Sequence, residues 1–397
     1  MLMKVALVCP ASLPATQFGG IMFLCLDLAR EFSKTKNEVT IFTTDLDFAN
    51  NAKTFNKKLP RLEKVNNFTI NRTHVWLSIS LFFINPGLYR QMMKGDFDII
   101  HTIGIRSFQS FMAALISKRK RIPLVISDQG GLTKHPDFKR GGIVKKILYL
   151  LQKPMIQFII NQSTKISVAN EYEKEIFSQF GAGSKIKIIQ NGINLEELDW
   201  KEINFKQKHN IKNHFILFLG RFSKVKGIDT LLLALNLIKD KEEMINTKLV
   251  IMGVDFGFES EMMKMISKLD LINNVIVIKK PKREEVIAAY RECEFLVLPS
   301  RWELSPLTPL EGFAFKKTVI STNTDGIPHT IKNDENAVLI EPGDYTQLSQ
   351  SILDLLTDYN KRTNFGIAGY EQVKNVSNSK MMAKNTLELY GEILQNR

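Results

Sequence analysis

The feature that most constrains this chain is an alternation that runs through both halves. Short apolar runs rich in valine, isoleucine and leucine are each followed by a longer stretch with apolar residues at helical spacing. In the first half Lys4–Cys9, Val39–Thr43, Phe97–His101, Pro123–Ser127, 164–169 and Lys185–Ile189 read as strands. In the second half Phe215–Leu219, 248–253, 274–281, Phe295–Leu298, Thr318–Ser321 and 336–344 do the same. Strands this uniformly apolar are covered on both faces, and strands separated by helices pair in parallel. The expected fold class is α/β, with two doubly wound parallel sheets. A length of 397 residues suits two domains. Asn191-Gly192 is a strong turn signal between them, and the polar, lysine-rich 195–213 reads as their connection.

Composition matters mainly through charge. The net charge is +13, and residues 1–190 carry 27 Lys and Arg against 13 Asp and Glu, while the remainder carries 27 against 28. The whole excess lies on the first half, which is expected to meet something anionic. A nucleic-acid module is one candidate, but aromatic interleaving and a matching motif are missing, so no nucleic-acid partner is expected. Adsorption to acidic lipid is the other. Val75–Ile84 is apolar but too short to span a bilayer; it reads as core, or as an element that dips into a lipid interface or receives an apolar acceptor. Lys118–Arg121 is a basic run, either a solvated helix end or a lipid contact. Lys139–Lys146 with the apolar stretch after it suits a membrane surface or a kinked core helix. Cys9, Cys25 and Cys293 are scattered and suggest neither disulfides nor a metal knuckle, so a reducing cytoplasm is expected. The amino terminus reads as a buried strand broken by Pro10 rather than a signal peptide.

Chemistry concentrates in the second half. The strand Phe295–Leu298 runs into PSRWELSPLTPLEG, where Glu303 sits in a loop and Glu311 near the first turn of a helix, eight residues on. Carboxylates at the carboxyl ends of parallel strands can accept hydrogen bonds from ribose and hexose hydroxyls. About eighty residues upstream, GRFSKVKG places Arg221 and Lys226 between a strand and a helix, as a diphosphate site would. Gly19 and Gly20 precede the first helix, where backbone N–H groups can approach a phosphate. Asp45 and Asp47 form a D-x-D after a strand, without supporting motifs, and read as solvated acids.

These motifs resemble glycosyltransferase family 4, the retaining enzymes of GT-B fold with an E-x7-E signature. Proline-serine before Glu303, the Gly220, Arg221, Lys226 and Gly227 pattern, the Asn191-Gly192 turn and the Pro342-x-Asp344 end all match. The resemblance implies two Rossmann-like domains facing a central cleft. An acceptor domain would span 1–193, a donor domain 194–380, and a terminal helix at about 381–397 would pack back on the first. It implies a nucleoside-diphosphate sugar as donor, such as a UDP- or GDP-sugar, retention of configuration and no required metal or cofactor. Arg221, Lys226 and Glu303 would be catalytic. Gly19, Gly20, Gly220, Asn191, Gly253, Lys280, Ser305, Pro306, Leu307 and Glu311 would hold the donor. His101, Asp128 and Gln129 would lie on the acceptor side, Gln129 where the family often has histidine. Pro306 and Asp325 each replace a glycine common in the family, and His329 stands where glutamate is common. The acceptor would be a carbohydrate or a lipid-linked one, with peripheral contact to the anionic inner face of a membrane. A non-catalytic nucleotide-sugar binder and an epimerase on the same fold are the alternatives.

Overall fold

The computed structural model describes residues 2–47, 54–79, 81–128, 130, 132, 143–198 and 203–396, with side chains of the helix Ile143–Gln162 described from Gln152 onward. The chain divides into two compact units, Met1–Gly192 with Ser379–Arg397, and Ile193–Asn378.

The first unit is built on β1 (Lys4–Val8), β2 (Glu38–Thr44), β3 (Leu62–Val65), β4 (Phe68–Thr73), β5 (Leu77–Ile79), β6 (Phe82–Ile84), β7 (Ile99–Ile103), β8 (Leu124–Ser127), β9 (Lys165–Val168) and β10 (Ile186–Ile188). Eight of these form one sheet in the order β10-β9-β8-β7-β1-β2-β4-β3, parallel throughout except β3 against β4. Its central strands are buried along their length, β7 on all five residues. That burial is why they read as largely apolar runs, the polar His101 and Thr102 of β7 being held inside by hydrogen bonds. β3 and β4 fall in a segment that shows no strand signal in the sequence. β4 is polar, yet its Asn71, Arg72 and Thr73 are buried. Arg72 donates to the carbonyls of Leu13 and Pro60, so hydrogen bonds rather than apolar contacts hold it inside. Val75–Ile84 is neither core helix nor single strand. It forms the antiparallel hairpin β5–β6, a separate two-stranded sheet.

The terminal helix Ser379–Gln395 belongs to this unit. It packs on the helix Gly20–Lys34, with Phe32 and Tyr390 edge to face at 5.6 Å. Asp45 is buried, not solvated. Its carboxylate bonds the His74 ring and accepts the Val75 N–H, while Asp47 continues into the bridge region between Leu46 and Phe55.

The second unit is one all-parallel sheet from β11 (His214–Leu219), β12 (Thr247–Gly253), β13 (Val275–Lys279), β14 (Leu296–Val297), β15 (Val319–Thr322) and β16 (Ala337–Ile340). The order is β13-β12-β11-β14-β15-β16. The strands after β11 step outward on one side and those from β14 on the other. The topological switch therefore lies between β11 and β14, and ligands of doubly wound sheets collect outside the carboxyl ends at such a point.

Candidate donor site

The loops that flank this switch are the two that carry the sequence motifs. After β11 the chain passes Gly220 and Arg221, makes a short 3-10 turn at Lys224–Lys226, and enters the helix Ile228–Ile238 through Gly227. Gly227 has φ +69°, and a Cβ there would stand 1.9 Å from the Pro299 carbonyl oxygen. Only glycine lets the two loops approach this closely. Gly253, at the end of β12, is constrained likewise: a Cβ would lie 1.8 Å from the Gly220 carbonyl oxygen.

The approach brings Lys226 Nζ into a hydrogen-bonded ion pair with Glu303 Oε2, both side chains about one-fifth exposed. Lys226, Glu303, Pro306, Thr308, Ser300 and Ser321 line an open hollow. The helix Leu307–Ala314 starts at its wall without a side-chain cap. Its first turn includes two residues without N–H, Pro306 at the cap and Pro309, so the free donors come from neighbours such as Leu307 and Thr308. Arg221 sits beside this group, its guanidinium over the Phe256 ring at 4.4 Å. Burial lowers its pKa from the ordinary value, and the Glu303 carboxylate partly offsets that.

Glu311 is held apart from the Lys226 pair. One oxygen accepts from Arg283 Nη2 at 2.6 Å and the other from Tyr290 Oη at 2.7 Å. Burial alone would lower the Arg283 pKa, but Glu311 outweighs it and holds the guanidinium above its ordinary value. Burial first, then the same carboxylate, pushes the Tyr290 phenol well up. Glu311 is thus an anchored anion with lone pairs left to accept further donors. Arg283 and Tyr290 are absent from the sequence-based set. A signal existed: seven residues apart on the helix Arg283–Glu292, they share one face.

Arg301 is a second addition. Its guanidinium forks onto Asp229 at 2.5 and 3.1 Å and reaches the Thr230 hydroxyl and the Lys224 carbonyl. It ties the loop after β14 to the loop and helix after β11. From the far side Gly326 N–H donates to the Glu303 carbonyl at 3.0 Å, with no room for a Cβ against Leu304. Asp325 before it holds φ +49°, so the left-handed backbone persists where a glycine is replaced. Lys280, at the end of β13, also has positive φ and donates its N–H to the Gly253 carbonyl. His329 is exposed. Gly220, Arg221, Gly253, Lys280, Glu303, Ser305, Pro306 and Leu307 all lie at or beyond the carboxyl ends of β11 to β14.

The expected sites of the first unit are more dispersed. Gly19 has φ +97° and Gly20 opens a fifteen-residue helix with no side-chain cap. Asn191 lines a separate hollow with Ser127 and Ser167. His101 departs from the acceptor-side expectation: it is 1% exposed, with Nδ1 on Tyr390 Oη at 2.6 Å and Nε2 on Ser127 Oγ at 2.7 Å. Burial pulls its pKa down to about 3, so the ring is neutral. Both carboxylate oxygens of Asp128 accept backbone N–H groups, from Ile105 and Leu132. Gln129 and Lys139–142 lie outside the described residues, as do the side chains of 143–151. Of the basic run, Lys118 lies over the Phe158 ring and Lys120 bonds the Met93 and Gly95 carbonyls. Among the described residues no three His, Cys, Asp or Glu side chains converge to hold a metal ion. None of their helices is long and apolar enough to cross a membrane.

Residues 199–372 match the family model for glycosyl transferases group 1, and residues 18–197 match that for glycosyltransferase family 4. The chain is a family 4 glycosyltransferase. The two matches meet a few residues past the unit boundary, and the match over 199–372 takes in both switch-point loops. An uncharacterized glycosyltransferase of Methanocaldococcus jannaschii is 23% identical over 98% of each chain. The GDP-mannose:cellobiosyl-diphosphopolyprenol alpha-mannosyltransferase of Xanthomonas campestris is 24% identical over 75% of this glycosyltransferase and 73% of its own length. Sucrose-phosphate synthase from Thermosynechococcus elongatus has the same fold, with TM-score 0.78, 18% identity and full coverage of both chains. Anabaena HepE, solved with UDP and glucose, follows at TM-score 0.76 and 16% identity, covering 98% of this chain and 99% of its own. The fold is GT-B.

Proposed function

We propose that this glycosyltransferase moves a sugar from a UDP- or GDP-sugar, with retention at the anomeric carbon, to a hydroxyl of a carbohydrate or lipid-linked acceptor. The product would be a glycolipid, a lipid-linked oligosaccharide or a surface polysaccharide, made at the cytoplasmic, anionic face of a membrane. One observation carries the reading: Lys226 and Glu303 meet across the switch point, beside Arg221 and an uncapped helix start.

Breaking the bond between the anomeric carbon and the phosphate oxygen leaves an electron pair on the diphosphate. Lys226 and Arg221 stabilise that charge, the first as a mobile point charge, the second as a fixed fork. The Leu307 helix start adds N–H donors. Glu303 orients the transferred sugar through its hydroxyls, and Glu311, fixed by Arg283 and Tyr290, accepts the ribose hydroxyls. The acceptor oxygen bonds to the anomeric carbon, and its proton leaves with the departing phosphate oxygen. No step needs a metal ion. Gly19 and Gly20 amides are kept as anion-facing donors, and Gln129 as an acceptor contact. Both Asp128 oxygens hold the loops around them, so it positions rather than takes a proton. The GDP-mannose donor of the Xanthomonas relative and the UDP and glucose bound by HepE support a nucleotide-sugar donor, and the diphosphopolyprenol acceptor of the former supports a lipid-linked one.

The test is a thermal-shift screen of nucleotide sugars, because a ligand that binds only the folded state raises its melting point. The stabilising donor is then incubated with polyprenyl-diphosphate sugars in EDTA. A product with the donor's anomeric configuration supports the reading. Donor binding without transfer or hydrolysis would leave a binder, and an absolute requirement for added manganese or magnesium would overturn the metal-free chemistry.

A further inference from the structure

The hairpin β5–β6 turns the wrong chemistry outward for a soluble surface. Phe83 anchors it. That ring is fully buried, with the Phe18 and Phe55 rings at 6.3 and 5.3 Å, and its carbonyl accepts from Gln109 Nε2 at 2.8 Å. Trp76, Leu77, Ile79 and Leu81 face solvent, with exposures of 75%, 53%, 43% and 41%. A single exposed leucine means little, but four large apolar side chains within residues 76–81 form a patch of the kind that marks an interaction surface. Leu77 and Ile79 project from the same side of β5.

The rim is cationic. Residues 49–95 hold eight Lys and Arg, and Glu63 is their only acid. Lys57 and Lys58 follow Phe55, which packs on Phe83, and Arg90 lies on the helix Gly87–Lys94 that leaves the hairpin; all three are exposed. Of the two acids just before this window, Asp45 is buried and bonded to His74 and Val75, and Asp47 is half-buried beside Thr54. An apolar tip bearing a tryptophan, ringed by cations, complements the boundary between headgroups and acyl chains of an anionic bilayer.

We propose that the β5–β6 hairpin is a membrane anchor, inserting Trp76, Leu77, Ile79 and Leu81 into an anionic lipid interface while Lys57, Lys58 and Arg90 lie over the headgroups. This deepens the membrane contact of the functional reading above, and its test is independent of turnover.

The full chain is floated with phosphatidylcholine vesicles, with and without phosphatidylglycerol. It should float with the anionic vesicles, and bromine-labelled acyl chains should quench an indole emission that Trp76→Phe removes. Replacing Trp76, Leu77, Ile79 and Leu81 together by serine should weaken partitioning at least about tenfold. The melting point and turnover of a short soluble acceptor should hold. Lys57→Glu with Lys58→Glu should weaken it about fivefold or more per charge, and this arm stands if the serine variant does not fold. Flotation unchanged by both sets of substitutions overturns the proposal. So does a wild type that runs as a dimer and becomes monomeric in the serine variant, which would assign the patch to a second copy. Absence of turnover with flotation intact would count against the transferase reading alone.

Discussion

Lys226→Ala tests the site most directly. The substitution removes Nζ from the hollow and leaves Glu303 without its hydrogen-bonded cation. If Lys226 acts on the departing diphosphate as a preorganised donor acts on an oxyanion, the barrier rises by about 2.7–4 kcal/mol, or about 10²–10³ in rate. The structural cost is smaller. The two side chains are 24% and 19% exposed, so the pair is partly screened, and truncation should cost about 1–2 kcal/mol. For a unit of this size each kcal/mol moves the melting point by about 2–4 °C. Steady-state transfer from a labelled nucleotide sugar, run beside calorimetry, separates the two effects. kcat should fall with little change in the donor's KM, and the fold should persist with a melting point a few degrees lower. Glu303→Gln in the same background discriminates further. Residues that act as a unit are not additive, so the double variant should be little slower than Lys226→Ala. A rate within a few-fold of wild type, or a loss matched by unfolding at the assay temperature, would refute the diphosphate role.

Three further outcomes follow from other contacts. Glu173, in the first turn of the helix Glu171–Ser178, accepts the Ala169 N–H at 2.8 Å, and burial raises its pKa to about 8 from an ordinary 4.5. Between those values the folded state holds the extra proton, so stability should fall with rising pH by about 1.4 kcal/mol per unit and level off above the folded pKa. Glu173→Gln should abolish that slope in urea titrations between pH 5 and 9, and parallel profiles would refute it. Gly227→Ala forces a Cβ against the Pro299 carbonyl at positive φ and should cost about 3 kcal/mol or more, visible as a lower urea midpoint. Arg283→Ala frees Glu311 from its buried partner and should raise the donor's KM about tenfold with a smaller effect on kcat, one lost charge-assisted hydrogen bond being worth about 1.5–3 kcal/mol. An unchanged KM would remove Glu311 from the ribose.

What the sequence disclosed follows from the range of the forces involved. Buried parallel strands announce themselves because most of their residues must be apolar, as in Phe215–Leu219 of β11. β4 does not, because its interior is hydrogen-bonded and polar, with Arg72 fixed by partners as distant as Leu13. The hairpin was ambiguous for a related reason: an apolar run looks the same whether it faces a core or solvent, and burial of Val75 and Phe83 decides which residues are left outside. His101 shows the limit for single residues. Its place at a strand end was legible, but its occupation by Tyr390, 289 residues away, was not.

The candidate donor site was more legible because it rests on two independent constraints. Motif spacing put cations after one strand and acids after another, without saying that those strands are neighbours. Sheet order supplies that: β11 pairs β14 directly, Leu217 opposite Leu296, although 79 residues separate them. The glycine at 227 then lets the loops touch, and Arg301 on Asp229 fixes their separation. A charged pair formed only through a tertiary crossover has little reason to exist as surface decoration, since an exposed pair adds about 1 kcal/mol at most. Here glycines at 227, 253 and 326, each with a backbone oxygen where a Cβ would go, keep the loops close enough for Lys226 to reach Glu303. Conformational freedom surrendered at three positions for one ion pair is out of proportion to stability, and in proportion to the diphosphate contact proposed above.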